Sequence, residues 1–149
     1  MDWIELIRAS HLLATGQPSQ EALRRAISTA YYAMFHALAT SNADLIIGQR
    51  TPANQPDWTR TYRSLRHFRA ENPLYGWPHL FSPPVQRFAV IIAGIKKQRE
   101  DADYNPQTSF AQNQAVTWID RAEQAIIDFN AASPQERSMV AIATLAGQR

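Results

Sequence analysis

Apolar residues recur at steps of three and four along the chain from Gln20 to about Asp44, and this spacing most constrains the fold. Such steps place side chains on one face of an α-helix, whereas a half-buried strand would alternate at every second residue. The stripe comprises Leu23, Ala26, Ile27, Ala30, Met34, Ala37, Leu38 and Leu45. A second stripe with the same steps comprises Ala115, Ile119, Ala122, Ile126 and Phe129. The sequence therefore predicts long amphipathic helices whose apolar faces need partners.

Capping residues, glycines and prolines divide the chain into predicted helices. A first helix would begin at the N-cap Asp2 and end at Ala14, before Gly16, and Ser19 can cap the second helix. The other predicted segments are a loop at 47–56, a third helix at 57–71, a packed proline-rich loop at 72–84, a fourth helix at 83–104, a fifth helix at 109–129 and a short helix after 133. We expect an all-α, antiparallel up-and-down bundle of about five to six helices.

Length and composition are those of one globular domain. The chain has 149 residues, of which 45% are hydrophobic and 19% are charged, so it can bury a core of its own. We expect a single domain over residues 1–149, with its core at about 3–130 and a short accessory helix or tail at 134–149. No apolar run is long enough to span a bilayer, the N-terminus is acidic rather than signal-like, and cysteine is absent. The simplest expectation is a cytoplasmic location without membrane contact.

Three common classes of chemistry lack their sequence signatures. The chain has no HExxH-type metal spacing, no glycine-rich phosphate loop and no G-x-S-x-G nucleophile elbow. We therefore expect neither a metal site nor a cofactor. The net charge of +2 permits contact with nucleic acid without requiring it. Candidate functional residues fall into three weaker groups.

The first group lies on the second predicted helix and points away from its apolar stripe. Aromatic side chains outside a core face are rarely left in water, because such patches mark partners. Either this helix is central and covered on all sides by its own bundle, or the face forms a dimer interface or a ligand groove. The group comprises Arg25, Thr29, Tyr32 and His36, flanked by Tyr31 and Phe35.

The second group lies at the end of the fourth predicted helix. Phe88, Ile92 and Ile95 form a core-facing stripe, and the next step of four brings Arg99 onto it. An unpaired guanidinium is costly to bury, so Asp103, one turn later, is its expected partner. Tyr104 adjoins this pair. The group is either a structural ion pair at a helix end or a polar pocket in which Arg99 holds a phosphate.

The third group is a basic strip on the third predicted helix, with no acid between Asp57 and Glu71. Arg60, Arg63 and His67 face away from Trp58, Tyr62 and Leu65. The strip is either an ordinary solvated surface or a surface that contacts phosphates. It comprises Arg60, Arg63, Arg66 and His67.

Two stretches of the chain resemble a known family. The run from Arg24 to Ala37 reads RRAISTAYYAMFHA and is similar to the second helix of many prokaryotic HEPN proteins, which carry an R-x-x-Y-Y-A-x-F-H-like stretch. The run from Arg99 to Tyr104 reads REDADY and resembles the R-x-x-A-D-Y element that often follows in the same family. The resemblance spans roughly residues 3–129.

The resemblance implies a helical bundle that often dimerises and is associated with nucleotide or RNA biology. Family members commonly form toxin–antitoxin pairs with a small nucleotidyltransferase. Many are metal-independent ribonucleases with an R-x(4–6)-H motif near the position of Arg99, in which the histidine acts as acid and base and the arginine steadies the phosphate. This chain departs from that pattern, since no histidine follows Arg99. Arg60 and His67 have the spacing but lie on the third predicted helix.

The leading hypothesis is a non-catalytic HEPN-like module that forms a homodimer and binds a nucleotide, RNA or a nucleotidyltransferase-type antitoxin through the Arg99 region. The dimer is expected because Tyr31, Tyr32 and Phe35 lie outside the apolar stripe of their helix. The alternative is a metal-independent ribonuclease toxin that recruits a histidine from elsewhere, with His36 the first choice. A third hypothesis is an assembly scaffold that binds no ligand.

Overall fold

The computed structural model describes residues 2–67 and 81–146, and these two ranges contain six α-helices. The helices are α1 (Trp3–Ala14), α2 (Gln20–Ile46), α3 (Gln55–Arg63), α4 (Pro83–Tyr104), α5 (Gln112–Asn130) and α6 (Pro134–Ala146). A short 3₁₀ helix, Ser64–His67, continues α3, and these two ranges contain no strand. The predicted all-α helical bundle is confirmed. None of the described helices has both the length and the hydropathy that crossing a membrane requires.

Helix α2 is the centre of the bundle. It packs against each of the other five helices, while α1 and α4 also pack against α5. The apolar stripe predicted on α2 is buried except for Leu45, which is partly exposed. Six of the buried residues of helix α2 are alanines, and such small side chains allow neighbouring helices to approach closely. The sequence therefore places its most alanine-rich helix where most neighbours must fit.

The stripes predicted on α4 and α5 pack against each other. Phe88 of α4 and Phe129 of α5 are fully buried, and their rings stack with centres 4.5 Å apart. Further along the same pair of helices, Trp118 lies over Gly94, where an added Cβ would come within 2.7 Å of the indole ring. This packing fixes the position of α4 and with it the position of Arg99 near its end.

Helices α1 and α2 begin where the sequence predicts, because each is capped by the side chain of the residue just before it. The Asp2 carboxylate accepts a hydrogen bond from the backbone N–H of Ile4, and the Ser19 hydroxyl accepts one from the N–H of Ala22, as expected of N-caps. Helix α4 has the predicted bounds. Helix α2 continues two residues past the predicted end and stops before Gly48, whose φ of 104° suits only glycine.

Two predicted helix boundaries are wrong, and each has a visible cause. The third helix begins at Gln55 rather than 57 and changes to 3₁₀ turns at Ser64, where the hydroxyl and the N–H both donate to the Thr61 carbonyl. The fifth helix begins at Gln112 rather than 109, because the backbone of Phe110 exchanges hydrogen bonds of 2.8 and 2.9 Å with the Gln20 side chain. The predicted loop at 72–84 lies mostly outside the described residues.

Candidate functional site

Arg99 lies where α4 meets α2, and its side chain is only 15% exposed. The guanidinium carbon is 4.9 Å from the ring centre of Tyr31 and 5.8 Å from that of Tyr32, distances at which a cation is attracted to an aromatic face. Nη1 donates to Asp103 Oδ2 at 3.4 Å, so the predicted ion pair is present. The buried Nε has no hydrogen-bond partner among the described residues. The charge is therefore enclosed but only partly satisfied.

Asp103 is held between the two helices. Its Oδ1 accepts a hydrogen bond from the Ser28 hydroxyl of α2, while its Oδ2 accepts the bond from Arg99. Tyr104, the next residue, is 76% exposed and turns towards solvent. The predicted group at the end of α4 thus comprises a largely buried Arg99, an exposed Asp103 that pairs with it, and an exposed Tyr104.

The pKa values of this site show how the charge is accommodated. Burial alone would lower the pKa of Arg99, but Tyr32, Tyr31 and Asp103 together raise it above its ordinary value, so the guanidinium stays charged. Burial raises the pKa of Tyr31 to about 12, although the positive charge of Arg99 offsets part of the increase. Both side chains therefore keep their neutral-pH states: a cation lying against a neutral ring.

The two adjacent tyrosines have different environments. Tyr31 lies outside the apolar stripe of α2, yet its side chain is 5% exposed and belongs to the buried core, as expected if α2 is a central helix covered by its own bundle. Tyr32 is 41% exposed. Phe35 is partly buried against the core. Of the three aromatics proposed as a dimer surface, only Tyr32 is exposed.

His36 is directed to α3 rather than to Arg99. Its Nδ1 is hydrogen-bonded to the Tyr62 hydroxyl, and the two rings stack with centres 5.6 Å apart. Tyr62 stacks in turn on Trp58, whose indole N–H donates to Asp44 at 2.8 Å. Burial lowers the pKa of His36 and raises the pKa of Tyr62. His36 therefore acts here as a neutral aromatic link between helices.

The other predicted basic residues lie on open surfaces. Arg25 is exposed on α2. Arg60 and Arg63 are exposed on α3, and Arg60 forms a 3.2 Å ion pair with Asp57 one turn earlier. The side chains of Arg66 and His67 lie outside the described part of the structure. Arg60 and Arg63 therefore form an exposed basic surface on α3, whereas Arg99 and Asp103 lie on α4.

Arg24 is an important residue that the sequence analysis missed. It extends from α2 to the C-terminal end of α4, where four backbone carbonyls accept hydrogen bonds from its guanidinium. These belong to Asp101 at 3.4 Å, Ala102 at 2.9 Å, Asn105 at 2.9 Å and Thr108. The last turn of α4 contains no basic residue, so its free carbonyls need an outside donor. That deficit is visible in the sequence, but the identity of the donor is not.

A groove of about 460 Å³ lies between the start of α2 and the end of α4. Glu21, Arg24, Asp103 and Tyr104 are among its walls. Its two carboxylates disfavour an anion, and the guanidinium of Arg24 is already bonded to carbonyls. Among residues 2–67 and 81–146, no three His, Asp or Glu side chains are grouped so that they could hold a metal ion. Arg99 differs from Arg24 in that its buried Nε has no hydrogen-bond partner among the described residues.

Comparison of the chain with models of protein families, with curated proteins and with solved structures gives no match. The likeness to HEPN proteins therefore rests on the two sequence stretches. These stretches meet in the folded chain: one forms much of α2, the other ends α4, and Arg99 and Asp103 of the second contact Tyr31, Tyr32 and Ser28 of the first.

Proposed function

We propose that this protein is a non-catalytic HEPN-like module that binds the phosphate of a nucleotide or RNA through Arg99. The observation that carries the proposal is the state of the guanidinium, which is held against two tyrosine rings, has one carboxylate partner at 3.4 Å and leaves its Nε unpartnered. A guanidinium with free donors is suited to bidentate contact with phosphate oxygens. A phosphate would replace Asp103 as the hydrogen-bond partner of the Arg99 guanidinium.

Binding without cleavage is favoured because the histidine of the R-x(4–6)-H ribonuclease motif is missing after Arg99. Catalysis of RNA cleavage needs a titratable group within hydrogen-bond reach of the transferred proton. No histidine follows Arg99 in the sequence, and the Nδ1 of His36 is bonded to Tyr62. The Tyr32 ring also contacts both Arg99 and His36 and so lies between them. The ribonuclease hypothesis would require His36 to leave its present partner.

The homodimer and the nucleotidyltransferase-type antitoxin partner are proposals that rest mainly on the resemblance to HEPN proteins. Light scattering of the purified chain tests self-association. A monomer at tens of micromolar would contradict it.

Binding titrations of the wild-type protein, Arg99→Met and Arg99→Lys against RNA and nucleotides test the phosphate site. We expect Arg99→Met to lose binding and Arg99→Lys to bind weakly, because an ammonium group lacks the planar fork of a guanidinium. Affinity should fall at the higher of two salt concentrations. Arg25→Met, which removes an exposed arginine from α2, is the matched control and should bind nearly as the wild type does.

Equal affinity among the wild type, Arg99→Met and Arg99→Lys would refute the proposal, as would no binding by any of them. RNA cleavage by the wild type that is lost in His36→Ala would favour the ribonuclease alternative. Growth arrest on expression of the chain alone would point in the same direction.

A further inference from the structure

Tyr32 is the open member of the aromatic group beside Arg99. It is 41% exposed, whereas Tyr31 is buried and Phe35 and His36 are partly covered. An exposed aromatic side chain next to an enclosed charge is a surface that a ligand or partner can cover. The chemistry of the two neighbouring groups indicates what that ligand is.

Three side chains lie close to the Tyr32 ring. The Tyr31 ring meets it edge-on, with centres 5.2 Å apart and an angle of 68° between the planes. The His36 ring lies 6.4 Å away on the next turn of α2, and the guanidinium carbon of Arg99 lies 5.8 Å from the Tyr32 ring centre. A ring fixed in this way loses little freedom when a second ring stacks on it.

We infer, building on the proposed phosphate site at Arg99, that Tyr32 is a platform on which the base of the bound nucleotide stacks. The site offers a cation 5.8 Å from the centre of an aromatic ring that is 41% exposed. A ligand that uses both must carry an anion and a flat ring close together, as a nucleotide does and a sugar phosphate does not. Stacking of this kind tolerates any base, because every base has a π-face.

The ligand class is therefore a nucleoside phosphate with an accessible base, either a free mononucleotide or a nucleotide in a single strand. A duplex is excluded as a preferred ligand because its bases are stacked and paired with each other. Tyr32 is a positioning residue in this arrangement. It sets where the base lies, while Arg99 holds the phosphate.

The test is a set of binding titrations with AMP, ribose 5-phosphate, a short single-stranded oligoadenylate and the same oligonucleotide in a duplex. The wild-type protein should bind AMP about tenfold more tightly than ribose 5-phosphate. Tyr32→Leu should abolish that preference, since leucine is apolar but has no π-face, while Tyr32→Phe should keep it.

The single-stranded oligonucleotide distinguishes a site for a free mononucleotide from a site for single-stranded RNA. Tighter binding of the single strand than of AMP identifies a site for RNA, whereas equal binding identifies a mononucleotide site. Both results support stacking on Tyr32 if the preference for AMP over ribose 5-phosphate is lost in Tyr32→Leu. Tighter binding of the duplex than of the single strand would overturn the inference.

Failure of this inference can be distinguished from failure of the phosphate site. If ribose 5-phosphate binds in an Arg99-dependent manner as tightly as AMP, the phosphate site stands and stacking is overturned. If no probe binds the wild type, both fail. If Tyr32→Leu converts a dimer into a monomer in light scattering, a second copy covers the ring and stacking is again overturned. Should Tyr32→Leu not fold, the comparison of AMP with ribose 5-phosphate on the wild type still decides.

Discussion

Arg24 and Arg99 connect the same two helices in opposite directions and have very different surroundings. Arg24 extends from α2 to the end of α4 and donates to four backbone carbonyls. Arg99 extends from α4 to α2, where it contacts two tyrosine rings and one carboxylate at 3.4 Å. The Nε of Arg99 is buried without a partner among the described residues. One guanidinium is committed to the backbone, and the other retains binding capacity.

The comparison shows why the presence of an arginine is a weak indication of a binding site. A guanidinium that satisfies the free carbonyls of a helix end contributes to stability and has few donors left for a ligand. A guanidinium held by aromatic faces keeps its donors, because rings do not accept strong hydrogen bonds in their place. We therefore expect Arg24 to matter mainly for folding and Arg99 mainly for binding.

The largest expected effect is on stability. Arg24→Met should lower the free energy of unfolding by about 3 kcal/mol, because charge-assisted bonds to several carbonyls at the end of α4 are lost together. Denaturant unfolding measures this loss. The adjacent, exposed Arg25→Met is the control and should change the same quantity by less than about 0.5 kcal/mol. Similar losses in the two variants would contradict a special role for Arg24.

Removal of the carboxylate partner should have an intermediate effect. Asp103→Ala leaves Arg99 without its ion pair and leaves the Ser28 hydroxyl without its acceptor, so we expect a loss of about 1–2 kcal/mol. Asp101→Ala, at a partly exposed position on the same turn of α4, should cost less. Thermal or denaturant unfolding of both variants provides the measurement. An unchanged stability for Asp103→Ala would mean that the pair does not hold α4 to α2.

Arg99→Met should change stability less than either of these substitutions. We expect a difference within about 1 kcal/mol of the wild type in either direction, because methionine can fill the space against the tyrosine rings and removes a buried charge. The same unfolding assay applies, together with the binding titrations above. A loss as large as that of Arg24→Met would show that both arginines are structural and would end the contrast between them.

The smallest expected effect is a change in the ionisation of Tyr31. Its pKa of about 12 is raised by burial and lowered in part by Arg99, so Arg99→Met should raise it further. Nuclear magnetic resonance of labelled tyrosines during an alkaline titration follows this change, and Arg25→Met should leave the value unaltered. A lower pKa in Arg99→Met would show that the guanidinium does not act on this ring.

The same ionisation has a consequence for stability. An unfolded tyrosine ionises near pH 10, whereas Tyr31 in the folded chain stays neutral to about pH 12. The contribution of Tyr31 is therefore fully present below about pH 10 and is lost as the pH rises towards 12. Alkaline unfolding curves should show stability falling across that interval.

The parts of the molecule that could be predicted from sequence are those set by local patterns. The N-caps Asp2 and Ser19, the bounds of α4 and the buried stripe of α5 all follow from capping chemistry and a helical period. The ion pair between Arg99 and Asp103 was predictable for the same reason, since both residues lie on one face of a single helix.

The sequence-based predictions fail where a segment distant in sequence binds a backbone group or covers a side chain. Residues 109–111 are not helical because Gln20, ninety positions earlier, bonds to the backbone of Phe110. Tyr31 is buried because α4 and Arg99 cover it, although its position on α2 predicts a flank outside the core stripe. Neither contact leaves a signal in the local sequence.

The sequence by itself determined that this chain forms amphipathic helices, where most of them begin, and that a charged residue sits on a core-facing stripe of α4. Tertiary structure alone decided that Arg24 completes the end of α4, that His36 pairs with Tyr62, and that Tyr32 rather than Tyr31 stays open beside Arg99. The physical reason is the distance along the chain over which each interaction acts. Helical periodicity and capping act over a few residues, whereas the hydrogen bonds and burial that distinguish these side chains depend on which helices pack together.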